Sequence, residues 1–79
     1  MTKRKEGMVF VWLIELVRPG LSSVYIKVTG ADRLSGRPTA CYTGPYEATR
    51  FPDKVKAEEV ILTLHDSSSL RATEHGFEV

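Results

Sequence analysis

Val9-Phe10-Val11-Trp12-Leu13-Ile14-Glu15-Leu16-Val17 is the stretch on which the fold turns. It is dense in β-branched and aromatic residues, the composition of a strand. Both alternating sets are apolar, with Val9, Val11 and Leu13 on one side and Phe10, Trp12, Ile14 and Leu16 on the other, so both faces ask for cover. A strand of this kind belongs in the middle of a sheet. One face lies under a helix, and the other is shielded by a partner chain or left as an apolar patch. The run is too short to span a bilayer and lacks the small-residue cleavage site of a secretory leader, so no membrane association is expected.

Arg18-Pro19-Gly20-Leu21 follows as a turn: proline presets one central dihedral and glycine accepts the positive φ of a type II turn. Ser23 to Thr29 then alternates, with Val24, Ile26 and Val28 on one face and Tyr25, Lys27 and Thr29 on the other, a half-buried second strand. Gly30 to Pro38 has no periodicity and reads as the most mobile loop, leading to a short, weak third strand, Thr39 to Thr43. With Thr43 as N-cap, Pro45 to Arg50 has the makings of one or two helical turns, interrupted at Phe51-Pro52.

Asp53 can cap the main helix, in which Ala57, Val60, Ile61 and Leu64 form one apolar stripe while Lys54, Lys56, Glu58, Glu59 and Thr63 lie mostly elsewhere on the wheel. His65 suits the C-terminal end of the dipole, Asp66 to Ser69 stops the helix, and Leu70 to Phe77 is a last strand. The expected class is α+β: a small single-layer sheet in the element order β-β-β-α-β, with one amphipathic helix on one face. A helix joining two strands of one sheet usually leaves them parallel, which predicts a mixed sheet with spatial order 3-2-1-4.

These elements carry a resemblance. Trp12-x-Ile14-Glu15, Ala48-x-Arg50-Phe51 ahead of a helix with Ala57, and Glu74-His75-x-Phe77 resemble a loose group of small proteins of bacterial genomes, often in phage or prophage regions. The resemblance implies a phage-linked origin and a compact α+β fold, and brings no catalytic or binding residues with it. Read physically, Phe51 and Ala57 seat the helix on the sheet, and Arg50 could reach the carboxylate of Glu74 or Glu78 or cap nearby carbonyls.

The chain has 79 residues, 42% apolar and 27% charged, enough for one small domain with a thin core. Residues 1–7 read as a flexible basic tail, with Lys3, Arg4 and Lys5 against Glu6, and residues 8–79 as the domain; translation could start at Met1 or at Met8. Nucleic acid is not the favoured partner, because outside the tail the domain shows no basic surplus. Cys41 is the sole cysteine, which excludes an internal disulfide and fits a reducing cytoplasm.

Cys41, His75 and Glu74 are the residue types of a thiol nucleophile, base and orienting acid. Cys41, however, has no glycine elbow or helix N-terminus beside it, and a buried inert thiol is the better reading. His65, Asp66, His75 and Glu74 match no zinc spacing. Gly30, Gly36 and Gly44 are too dispersed to cradle a phosphate. Trp12, Tyr25, Tyr42 and Tyr46 would need basic neighbours beyond Lys27 and Arg71 to stack bases. No cofactor, metal or catalytic residue is therefore expected. The sequence points to a non-enzymatic protein that binds another protein or itself, through a surface drawn from Val9, Val11, Trp12, Leu13, Tyr25, Lys27 and Arg50. The alternative is a phage-type nucleic-acid accessory factor using the basic tail with Lys27 and Arg71.

Overall fold

The computed structural model describes residues 7–64 and 67–78. The expected tail (Gly7 apart), His65 and Asp66 lie outside the described residues. The elements are β1 (Met8–Leu16), β2 (Val24–Ala31), β3 (Pro38–Thr43), α1 (Lys54–Ile61) and β4 (Leu70–Glu78), with a single 3-10 turn at Ser67–Ser69. The sheet order is β3-β2-β1-β4, so the doubly apolar strand is interior, as its composition required.

Every pairing is antiparallel, and the expectation of a mixed sheet with β4 parallel to β1 is corrected: β4 pairs with β1 in unbroken antiparallel register from Met8↔Glu78 to Leu16↔Leu70. The crossover rule presumes a connection that is mostly helix. Here an extended segment comes first. Trp12 and Phe51 exchange both backbone hydrogen bonds at 2.9 Å, and Thr49 N donates to Ile26 O at 3.1 Å. The chain thus runs back toward mid-sheet between β1 and β2 before α1 starts. The helix then returns it to the Leu16 end, where β4 begins, and β4 runs against β1. Because the backbones of Thr49 and Phe51 serve the sheet, the helical turns expected over Pro45–Arg50 do not form; only a turn at residues 45–47 remains.

This inserted segment also explains a split in the sheet. β1 and β2 pair directly only at Glu15↔Tyr25 and Leu16↔Val24, next to the turn. Beyond that they diverge, and residues 49–51 fill the gap. Val28 N donates to Thr49 Oγ1 at 2.7 Å, so the threonine side chain completes what its backbone begins. The turn between the strands is as expected, with Leu21 N donating to Arg18 O and Gly20 at φ +75°.

The register places Trp12, Ile14, Leu16, Ile26, Leu70 and Ala72 on the helix side. There Ile14, Ile26, Ala57 and Ile61 make the core, with Trp12, Phe51, Val60, Leu64, Leu70 and Ala72 packed around it. The predicted stripe Ala57, Val60, Ile61 and Leu64 is thus the buried face of α1. Asp53 caps the helix, its carboxylate accepting from Lys56 N at 2.9 Å. The helix ends at Ile61, short of the predicted Leu64, because the last turn tightens: Thr63 N and Leu64 N bond three residues back, and Thr63 Oγ1 donates to Val60 O at 2.7 Å.

Candidate functional site

The face of β1 away from the helix was the one expected to need a partner, and the chain largely covers it with its own side chains. Leu13 on this face is fully buried, as is Ile14 on the other. Tyr25 pairs with Glu15 on one side of β1, and His75 pairs with Val11 on the other. The two rings meet edge to face at 5.3 Å, across β1 at the level of Leu13. His75 Nε2 is 2.8 Å from Thr73 Oγ1, which fixes the imidazole. Burial, and then the charge of Glu15, push the Tyr25 phenol above the ordinary tyrosine value.

Arg50 completes the cover. Since Phe51 faces the core beside Trp12, Arg50 must point to the opposite face, where its guanidinium lies 4.1 Å over the Phe77 ring. The expected reach to Glu74 or Glu78 is corrected on parity: both side chains project from the helix side of β4. Tyr46 adds an edge contact to Phe77 at 5.7 Å. Of the surface drawn from the sequence, Leu13 is therefore sealed and Trp12 lies on the other face. Val9, Val11, Tyr25, Lys27 and Arg50 share the open side, with Val9, Lys27 and Arg50 exposed.

The residues of the thiol-enzyme idea do not converge. Cys41 lies on β3, opposite Lys27, with β2 and β1 between it and β4, a separation of at least roughly 14 Å by strand spacing. Glu74 projects from the face opposite His75. Cys41 is exposed, against the expectation of a buried thiol, because β3 is an edge strand with little cover on either side. The aromatic residues are likewise divided: Trp12 and Tyr42 face the helix side, Tyr25 the other, and Tyr46 sits in a turn. Among the described residues no group of three His, Cys, Asp or Glu could hold a metal ion.

The loop expected to be most mobile is held by hydrogen bonds. Asp32 Oδ1 accepts from Leu34 N at 2.8 Å and Ser35 N at 2.9 Å, Gly36 N donates to Asp32 O, and Asp32 N donates to Arg37 O. The Ser35 and Leu34 amides hold the Asp32 carboxyl below the usual carboxylate range. Leu34, at the tip, is 99% exposed between Arg33 and Arg37. Behind it, a groove of about 360 Å³ opens between β3 and the end of α1, lined in part by Ile26, Ala40, Tyr42, Thr63 and Leu64.

The feature that sequence reasoning missed is the side of β4. Nine residues long, it is an edge strand without proline and without a register shift against β1. The direction of its backbone groups follows from β1. Trp12 turns its N–H and C=O toward Phe51, so Val11 and Leu13 turn theirs toward β4. The bond from Val17 N to Ser69 O agrees with that parity. The N–H and C=O of Ala72, on the other parity, therefore point outward, to where no described strand lies. Alongside runs an open trough of about 610 Å³, walled by Lys54, Glu58, Ile61 and Leu62 of the helix and its C-terminal turn and floored by Leu70, Arg71 and Ala72. Leu62, at its rim, is 81% exposed. The sequence signal was the spacing of Lys54, Glu58 and Leu62 at i, i+4 and i+8, one line along the helix.

Comparison with models of protein families, with curated proteins and with solved structures finds no match. Among the described residues no helix is long and apolar enough to cross a membrane.

Proposed function

We propose that this protein is a non-enzymatic binding protein, of phage-linked origin, that takes up an extended polypeptide strand alongside β4. The observation that carries the reading is the outer side of β4, along which no described strand lies, next to a trough between strand and helix. Strand addition uses these two parts: the edge backbone supplies hydrogen bonds, and the adjoining groove takes alternate side chains. Exposed edges are usually blunted by proline, charged side chains or a bulge. β3 opens at Pro38 and pairs with β2 through an irregular register at Val28/Gly30; β4 has neither proline nor a bulge, and its charges are Arg71, Glu74 and Glu78. The cover over Leu13 moves the working surface away from the face named by composition and onto this edge.

The test is a nuclease-treated pull-down from bacterial lysate with wild-type bait and Leu62→Lys bait, whose exposed site leaves the core intact. A polypeptide captured by the first and lost from the second supports the reading. Identical capture by both, or capture that nuclease abolishes, overturns it.

One observation favours a second reading, nucleic-acid binding through the β2–β3 ribbon. Lys27, Arg33 and Arg37 outnumber Asp32 there, and Leu34 stands at the tip of a hydrogen-bonded loop as an apolar wedge would. It predicts salt-dependent polarisation of a labelled duplex that falls in Arg33→Ala/Arg37→Ala. No retention at low salt eliminates it.

A further inference from the structure

Apart from both readings above, we infer that the open face of the sheet binds single-stranded nucleic acid, whose bases stack on Arg50 and Tyr46 and whose phosphates meet Lys27 and Arg71. This is the face that α1 leaves bare. Aromatic rings serve as base platforms beside cations, and the sequence alone set only Lys27 and Arg71 near its tyrosines. The fold supplies what was missing. Arg50 reaches this face from the inserted segment, and β4 adds the rings of His75 and Phe77 by parity.

Two platforms are built in advance. The Arg50 guanidinium is propped 4.1 Å over the Phe77 ring while the residue stays exposed, so its outer side is open to a base. A guanidinium plane stacks bases as a ring does. Tyr46 touches the same Phe77 ring edge-on at 5.7 Å and is 79% exposed. Tyr25 and His75, held edge to face at 5.3 Å, lie next along the strand. Side chains already held by their neighbours lose little freedom on binding. From Arg71 to Phe77 the track along β4 is roughly 20 Å long, which suits the short end of single-strand site sizes, about 4 nucleotides.

Charge decides which face a polyanion takes. α1 and its cap carry Asp53, Glu58 and Glu59 against Lys54 and Lys56, and Glu78 projects to the same side, so carboxylates outnumber cations there. The open face reverses the balance. Lys27, Arg50 and Arg71 stand on it against Glu15, directly opposite Arg71, and Glu47, whose carboxylate takes the Thr43 hydroxyl at the β3 border. The occupant is a single strand, because in a duplex the base faces stack on one another and leave these platforms unused.

The experiment is fluorescence polarisation of labelled oligothymidylate and oligouridylate at low salt, with an unlabelled duplex as competitor and circular dichroism as the fold control. Both oligomers are expected to bind alike, since stacking and phosphate contacts ignore the sugar, and to release as salt rises. Tyr46→Ala and Arg50→Lys are each expected to weaken binding roughly tenfold, the second because it keeps the charge and loses the plane. Both positions are exposed, so the core stays intact. Arg33→Ala/Arg37→Ala is expected to leave binding unchanged, which separates this face from the β2–β3 ribbon. No polarisation change with either oligomer at millimolar protein overturns the inference. Binding indifferent to both Tyr46→Ala and Arg50→Lys, or a duplex that competes as well as a single strand, overturns it too.

Discussion

Replacing Thr49 by valine keeps the shape of the side chain and removes only its hydroxyl, and this change tests how the split sheet is held. Thr49 Oγ1 is the acceptor for the part-buried Val28 N–H at 2.7 Å, at the level where β1 no longer reaches β2. Without the hydroxyl, that amide keeps its desolvation and loses its partner, which costs about 1–3 kcal/mol. The backbone bond from Thr49 N to Ile26 O survives, so the loss belongs to the side chain alone. For a domain of this size each kcal/mol lowers Tm by roughly 4–8 °C, so the expected drop lies well outside scatter. Urea denaturation of wild type, Thr49→Val and Thr49→Ser measures it, with serine expected to retain most of the stability because it keeps the oxygen. A loss below about 0.5 kcal/mol in the valine variant, or an equal loss in serine, would refute the role given to the inserted segment.

Leu13→Ala should cost about 2–5 kcal/mol by thermal denaturation, since the residue is fully buried beneath the Tyr25 and His75 rings; a cost under about 1 kcal/mol would mean that the cover is open in solution. Gly76→Ala should destabilise by about 1–3 kcal/mol, because the added methyl would sit 2.8 Å from Met8 Cε and 2.9 Å from Phe10 Cε1; a neutral result would show that both side chains move aside. The phenol of Tyr25 has a raised pKa in the folded state, so its contribution to stability is fully present below the unfolded value of about 10 and is lost as pH rises through the folded value. Denaturation midpoints should therefore fall above about pH 10, and Tyr25→Phe should fall less steeply there.

How far the fold could be read from residues depends on the kind of information each element carries. The alternation of Val9 to Leu16 is a side-chain signal, and it placed β1 in the sheet interior. The stripe of Ala57, Val60, Ile61 and Leu64 likewise announced the helix and its buried face. The direction of β4 depended instead on Thr49 and Phe51 lending backbone groups to the sheet, and nothing in their side chains declares that. Cover for Leu13 comes from Tyr25 and His75, brought together from two separate strands by register alone. Lys54 and Glu58 read as an ordinary solvated face until the fold set them along a trough beside β4.

Backbone amide exchange at Ala72, with Thr73 as the internal reference, tests strand addition at β4 most directly. The Thr73 N–H points into the β1 ladder and should be protected at every concentration, whereas the Ala72 N–H points outward and gains a partner only when a strand is added. The account predicts fast Ala72 exchange in the protein alone and slow exchange when the captured polypeptide is added. Ala72 exchange that stays fast with the captured polypeptide bound, with Thr73 protected throughout, would contradict it.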